Sequence, residues 1–365
     1  MTTNLSLGGV SASVLAMAST LRDLGAACTV RALTDGGPLQ GVLEERGISS
    51  GVLGVPKHSH SFQTTRAVAA TIADSKPKVV HCHSFEANFH ASLARLRGAP
   101  VPWLFVTQHD PRWRLHRVIL NRWLRRVPDR VVVVSEGLGR LYQRWCGYSS
   151  ERLFLLPNPV DTKRFSPAPK DVALASELGL AADSFIIGNV GGFGSLKGQE
   201  VLVRAFAALG EVRKTAQLVL VGEGKHRPAV EDLCYRLGVA DRVVFAGQRD
   251  DIPRFLSLFD VYVQPSWQET DAVAVKEAMT AGKAVVSTAT IGPSGFLEHG
   301  VTGILVPLGD WREMAQALTR LATDCELRSR LGGAARRYAE GEFSLDTYRR
   351  RLAMLYAPVV SGPAE

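Results

Sequence analysis

Short apolar runs alternate with segments of helical period along the whole chain, the pattern of parallel strands joined by crossover helices. In the first half the runs predict strands at 27–33, 78–82, 103–107, 130–134 and 153–156, with helices such as 11–24 and 135–145 between them. In the second half they predict strands at 184–190, 217–222, 242–247, 260–264, 284–287 and 303–306. The class is therefore α/β, as two Rossmann-like halves. Pro157-Asn158-Pro159 and Pro167-Ala168-Pro169 frame a segment that should resist helix, so it reads as a linker with the boundary near 160–182. The expected domains are 1–165 and 183–340, with a last periodic segment, 345–365, joining the first. One irregularity stands at the start. The glycine turn Leu7-Gly8-Gly9-Val10 should follow a buried strand, yet residues 1–7 hold few apolar positions, so the first strand is expected to be short or missing.

Size and composition narrow the class. A chain of 365 residues exceeds what one hydrophobic core usually supports, and 46% hydrophobic with 21% charged residues is ordinary for a globular protein. Five cysteines, odd in number and without a CxxC pair, signal neither a disulfide framework nor a zinc knuckle. With no apolar run of spanning length and no basic-then-apolar leader, a cytoplasmic protein is expected.

Charge changes the picture more. Up to Phe165 the chain has 21 Lys+Arg against 11 Asp+Glu, a net +10, while the remainder is at −2. Residues 87–150 carry eleven arginines and three acids, with Arg112, Arg114, Arg117, Arg122, Arg125, Arg126 and Arg130 interleaved with Trp113 and Trp123. Arginine forks suit phosphate and tryptophan suits a headgroup boundary, so an anionic membrane face or a phosphorylated lipid acceptor is expected, in preference to nucleic acid. A solvated arginine-rich helix has the same composition.

Two constellations carry chemistry. Gly191-Gly192-Phe193-Gly194-Ser195-Leu196-Lys197-Gly198 joins a strand to a helix, where bare backbone N–H groups, the helix N-terminus and the Lys197 charge suit a phosphate. A simple tight turn is the competing reading. In Pro265-Ser266-Trp267-Gln268-Glu269-Thr270-Asp271-Ala272-Val273, continuing to Glu277, two carboxylates are eight residues apart, one in a loop and one inside the next helix. The first can accept from sugar hydroxyls and the second from a ribose diol, leaving the helix N-terminus near Val273 for a pyrophosphate. Alternatively, Glu269 caps the helix and Glu277 is a surface residue. His81, His83 and His109 lie at strand ends. The i, i+2 spacing of the first two could face a metal, but no fourth ligand is evident and a packing or lining role is preferred. His58 and His60 read as loop residues.

In their order along the chain, Gly8-Gly9, His81-Cys82-His83, Val106-Thr107-Gln108-His109, Val134-Ser135-Glu136, Pro157-Asn158-Pro159-Val160-Asp161, Lys197-Gly198, Glu269 with Glu277, and Gly300-Val301-Thr302-Gly303 resemble the family-4 (group 1) retaining glycosyltransferases of GT-B fold. The resemblance implies two Rossmann-like domains with parallel sheets facing across a cleft, and a nucleotide-diphospho-sugar donor. It also implies no cofactor and no Asp-x-Asp metal site, and a lipid-linked or saccharide acceptor. It further implies that Glu277 contacts the ribose, Glu269 the transferred sugar, Lys197 the pyrophosphate, and His109 the sugar or acceptor side. Catalytic roles are thus expected of His109, Lys197 and Glu269. Gly8, Gly9, Gly191, Gly192, Val273 and Glu277 complete the substrate-binding set. The pattern is broken where Gly192 replaces an arginine, Thr270-Asp271-Ala272 replaces Gly-Phe-Gly, and Gly295 replaces an acid. These departures leave a second expectation open, a weak or inactive GT-B protein that binds a sugar nucleotide or a partner transferase.

Overall fold

The structure is a computed structural model that describes residues 1–6, 8–56, 62–109, 115–181 and 183–361. It divides into two compact units, Met1–Pro159 with Asp346–Glu365, and Val160–Leu345. His58, His60, Arg112, Trp113 and Arg114 lie outside the described residues.

Among the described residues the first unit holds seven parallel strands, β1 (Thr2–Asn4), β2 (Thr29–Asp35), β3 (Ser49–Val52), β4 (Val79–Cys82), β5 (Trp103–Gln108), β6 (Arg130–Val133) and β7 (Leu153–Leu155). One sheet has the order β1-β2-β3 and the other β4-β5-β6-β7. The His83 N–H donates to the Met1 carbonyl at 2.8 Å, so the two sheets meet at β1 and β4. β1 is present but only three residues long, in keeping with the sparse apolar positions before the glycine turn. The sequence pattern missed β3, whose Ser49-Ser50-Gly51-Val52 lacks alternation. As an edge strand it needs only its backbone ladder to β2, Thr29 opposite Ser49 through Ala32 opposite Val52. The helix Leu345–Ser361 closes this unit by packing Tyr348, Leu352 and Leu355 with Met17, Phe105 and Leu156.

The second unit is a single parallel sheet of β8 (Phe185–Val190), β9 (Ala216–Val221), β10 (Val243–Gly247), β11 (Val261–Gln264), β12 (Ala284–Thr288) and β13 (Ile304–Val306), in the order β10-β9-β8-β11-β12-β13. Apolar clusters built on Leu202, Phe206 and Leu318, and on Phe255, Phe259 and Met279, make up its core. Fully buried strands such as β9 and β11 explain why these segments read as continuous apolar runs without alternation. The 160–182 segment, read from its prolines as a linker, is instead part of this unit. Val160, Phe165, Leu174, Ala175 and Leu180 are buried in the second cluster, and Asp171 caps the helix Val172–Glu177 by accepting from the Leu174 N–H at 2.8 Å. Among the described residues no helix is long and apolar enough to cross a membrane.

Candidate active site

In an open parallel sheet, ligands bind beyond the carboxyl ends of the strands where the strand order reverses. In the second unit that point lies between β8 and β11, and the loops leaving these two strands are those singled out by their chemistry. The glycine loop runs from β8 into the helix Gln199–Ala207. Gly198 is the left-handed N-cap (φ 68°), and a Cβ there would lie 2.1 Å from the Pro265 carbonyl oxygen, so only glycine lets the two loops touch. They are stitched together by Trp267 N–H to the Leu196 carbonyl at 2.9 Å and by Trp267 Nε1–H to Glu200 at 2.8 Å.

Glu269 does not cap the following helix. Val273–Thr280 has Ala272 as its N-cap, with no side-chain hydrogen bond to the helix. Glu269 Oε1 instead collects three donors: Lys197 Nζ at 2.7 Å, Gln264 Nε2 at 3.0 Å and Ser266 Oγ at 3.0 Å. Gln264 is itself oriented by the Tyr262 hydroxyl, which donates to its Oε1 at 2.7 Å. The carboxylate is only 12% exposed while the Lys197 side chain is 38% exposed, so the lysine is the partner that can turn toward an incoming anion. Sequence reasoning gave Lys197 and Glu269 separate roles. The structure makes them an ion pair that a ligand must share or open.

Glu277 is half-buried on the helix Val273–Thr280, not a surface residue. Burial pushes its carboxyl up to about 7, against the opposing pull of Arg164. Tyr262, fully buried, has its phenol raised by burial first and by the charges of Glu277 and Glu269 after it. Gly191, Gly192, Lys197, Glu269, Val273 and Glu277 therefore gather at one end of one sheet. A Cβ at Gly191 would meet nothing within 4 Å, and one at Gly192 only the Glu223 carbonyl oxygen at 3.4 Å. Arg249 does not supply the guanidinium that Gly192 lacks, since Asp251 (2.9 Å) and Glu177 (3.1 Å) hold it.

Sequence reasoning missed the Tyr262-Gln264-Ser266 scaffold and the ion pair of Lys276 with Asp271. Lys276 is fully buried, with its ammonium 4.6 Å from the centre of the Phe343 ring. The available signal was a lysine inside an otherwise apolar helix run with an acid five residues before it. Ala272 keeps the left-handed conformation (φ 50°) that a glycine would take, one of two non-glycine residues with positive φ among those described.

The first unit carries the other predicted residues at the carboxyl ends of β1, β4 and β5. Gly8 caps the helix Gly9–Asp23, and a Cβ on either Gly8 or Gly9 would meet nothing within 4 Å. His109 follows β5, and its Nε2 lies 3.3 Å from His83 Nδ1. His81 bonds Tyr356 through Nδ1 and Thr107 through Nε2, each at 2.7 Å, which ties the C-terminal helix to the sheet. The rings of His81 and His83 stack at 4.8 Å and those of His83 and His109 at 5.6 Å, so they lie face to face and do not converge on a point. Among the described residues no group of three or more His, Cys, Asp or Glu is placed to hold a metal ion. Burial lowers all three imidazoles, His109 to about 4, so at physiological pH a neutral His109 has a hydrogen bond to offer and no charge.

Residues 7–164 match the family model of glycosyltransferase family 4, and residues 184–324 that of glycosyl transferases group 1. The lipopolysaccharide core biosynthesis glycosyltransferase LpsE of Rhizobium meliloti is 35% identical over 182 residues, covering 49% of this chain and 52% of that protein. The D-inositol 3-phosphate glycosyltransferase of Stackebrandtia nassauensis is 29% identical over 289 residues, 76% of this chain and 62% of that protein. The chain spans about half to three fifths of the length of the curated relatives it matches. HepE of Anabaena, solved in complex with UDP, superposes with a TM-score of 0.88 at 22% identity, covering 98% of each chain. The sucrose-phosphate synthase of Thermosynechococcus elongatus superposes at 0.82 and 22% identity, covering 99% of this chain and 96% of that one. These likenesses show the GT-B fold. With both units matched by glycosyltransferase models, the chain belongs to the group 1, family 4 glycosyltransferases.

Proposed function

We propose that the protein transfers a sugar from a nucleoside-diphosphate sugar to an acceptor hydroxyl with retention at the anomeric carbon, in cell-surface polysaccharide or glycolipid synthesis. The observation that carries this reading is the gathering at the β8/β11 switch point of a bare glycine loop, Lys197, Glu269, an uncapped helix N-terminus at Val273 and the half-buried Glu277. Each suits one part of such a donor. Glu277 takes the ribose hydroxyls. Lys197 and the helix N-terminus take the diphosphate, and Glu269, held by Gln264 and Ser266, takes the sugar. In the reaction the bond from the anomeric carbon to the diphosphate oxygen breaks and its electrons leave with the nucleoside diphosphate. The acceptor oxygen bonds the same face of that carbon, and the acceptor proton passes to the departing phosphate. Neutral His109 is assigned a hydrogen bond to the sugar or acceptor, with Gly8 and Gly9 on the acceptor side. The same donor class is supported by HepE, which has been solved with UDP-glucose, and the cell-surface setting by relatives named for lipopolysaccharide core synthesis.

The acceptor belongs to the proposal as a lipid-linked or saccharide hydroxyl, and so does attachment at the inner face of the cytoplasmic membrane. The +10 charge of the first 165 residues supports that attachment. A second reading, a sugar-nucleotide-binding protein with little turnover, is favoured by Gly192 and by the engagement of Arg249 elsewhere. Incubation with a panel of UDP-, GDP- and ADP-sugars separates the two. Nucleoside diphosphate release that Lys197→Ala abolishes is the expected result, whereas binding without release supports the second reading.

A further inference from the structure

The first unit carries a basic cavity that the transfer reaction leaves unused. The helix Leu115–Leu124 exposes Leu115 (76%), Ile119 (57%) and Trp123 (60%), an i, i+4, i+8 ridge of apolar side chains. The widened turn Tyr142–Cys146 exposes Trp145 (52%) and ends at Gly147, which is left-handed (φ 70°). Arg125, Arg126, Gly147, Ser149 and Arg152 line a cavity of about 380 Å³. A Cβ on Gly147 would stand 3.2 Å from Arg122 Nη1 and 3.6 Å from Arg125 Cδ, so glycine is what lets the guanidiniums close on this wall.

The hydrogen bonds of these arginines leave their charge uncompensated. Arg125 Nη1 donates to the Arg122 carbonyl at 2.7 Å, and Arg152 Nη1 to the carbonyls of Arg126 at 3.0 Å and Pro128 at 2.7 Å. All three acceptors are neutral. Among the described residues no carboxylate pairs with Arg122, Arg125, Arg126 or Arg152, whereas nearby Arg117 and Arg140 are neutralised by Glu86 and Glu136. Several guanidiniums gathered around one cavity repel each other until an anion enters, and their planar forks match phosphate oxygens.

We propose that this cavity binds the phosphate of an anionic phospholipid headgroup while the Leu115-Ile119-Trp123 ridge and Trp145 enter the boundary between headgroups and acyl chains. The proposal rests on the reading of an anionic membrane as the first unit's partner, and it gives that partner a defined site. A free phosphate or a nucleic acid accounts for the guanidiniums but gives the exposed ridge nothing to bury against. A bilayer accounts for both, because tryptophan sits at its interface and each basic residue adds electrostatic attraction.

Co-sedimentation with phosphatidylcholine vesicles, with and without phosphatidylglycerol, at low and high salt, tests it on the full chain. Wild type is expected to bind only the phosphatidylglycerol vesicles and to release at high salt. Arg125→Gln with Arg126→Gln should lose roughly thirty-fold in affinity, two charges at about five- to sixfold each. Ile119→Ser with Trp123→Ser should keep the salt dependence and lose the share of tryptophan quenching by bromine-labelled acyl chains that Trp123 contributes, leaving that of Trp145. Unchanged vesicle binding by the arginine variant overturns the site and leaves membrane attachment standing. Wild-type indifference to phosphatidylglycerol overturns both. Displacement by millimolar inorganic phosphate alone, or equal affinity for a short oligonucleotide, overturns the lipid assignment. None of these outcomes touches donor binding by the second unit, which nucleoside diphosphate release measures separately.

Discussion

Placing an arginine at Gly192 tests whether the glycine loop is a diphosphate site. The position tolerates a side chain. Gly192 is not left-handed, and the nearest atom to a Cβ there is the Glu223 carbonyl oxygen at 3.4 Å, an ordinary contact. The new guanidinium would not duplicate Arg249, which Asp251 and Glu177 hold, and would add to the charge of Lys197. A charge-assisted hydrogen bond to a diphosphate contributes about 1.5–3 kcal/mol, which predicts a gain of roughly 10- to 150-fold in affinity for a nucleoside diphosphate. Because the leaving diphosphate gains charge as it departs, turnover should rise as well, with a ceiling of roughly 10²–10³-fold for one donor. Titration calorimetry with UDP, GDP and ADP at two salt concentrations measures the affinity, and thermal unfolding confirms that the variant is intact. Gly192→Lys, a point charge without the fork, should gain less. A folded Gly192→Arg protein with unchanged affinity for all three nucleotides would refute the reasoning, since no diphosphate oxygen would then lie within reach of the loop.

The raised carboxyl of Glu277 gives a pH signature. Its folded value of about 7 exceeds the ordinary 4.5, so the folded state holds the proton more tightly, and stability from this group is lost as pH rises from 4.5 to 7, by about 3 kcal/mol at most. Ribose hydroxyls donating to the carboxylate favour the ionised form. Nucleotide affinity should therefore rise up to about pH 7, with roughly half a proton released per nucleotide bound at that pH. Calorimetry in buffers of different ionisation enthalpy measures this, and persistence of the release in Glu277→Gln would assign it elsewhere. Glu277→Ala should chiefly weaken nucleotide binding and Glu269→Ala chiefly lower turnover, and equal effects on both parameters at both sites would sink the division of roles. Ala272→Gly should stabilise the protein by about 0.5–1 kcal/mol, since alanine is strained at φ 50°, and a lower melting temperature would contradict this. Asp271→Ala alone should cost about 3–5 kcal/mol by removing the carboxylate that the buried Lys276 ammonium pairs with, while Asp271→Leu with Lys276→Met should be near neutral in denaturant unfolding.

The strands and the loops that make up the candidate site were legible in the sequence because both depend on local pattern. Runs such as Val261–Gln264 and Ala284–Thr288 are buried on both faces, so they stand out as short apolar blocks whatever their partners are. A glycine loop or a strand-end carboxylate is legible for the same reason, since its chemistry follows from its place between a strand and a helix. What stayed illegible depends on partners distant in the chain. Edge strand Ser49–Val52 exists only because β2 lies beside it, and Phe165 and Leu174 are core because Phe255 and Phe259 belong to the same apolar cluster.

The Gly-Phe-Gly position shows how far a sequence departure can be read as a loss. Thr270-Asp271-Ala272 lacks both glycines, yet Ala272 adopts the left-handed conformation and the helix Val273–Thr280 still begins uncapped at Val273. The strain of that conformation, about 1–2 kcal/mol, needs a constraint to hold it. Asp271 and Lys276, on either side of Ala272 and buried together, are placed to be that constraint. An ion pair of this kind contributes little net stability, because desolvation offsets its Coulomb energy, but it restricts the loop to one geometry. On this account the chain retains an uncapped helix N-terminus at Val273 by a different means, whereas Gly192 is a departure that Arg249, held by Asp251 and Glu177, does not make good.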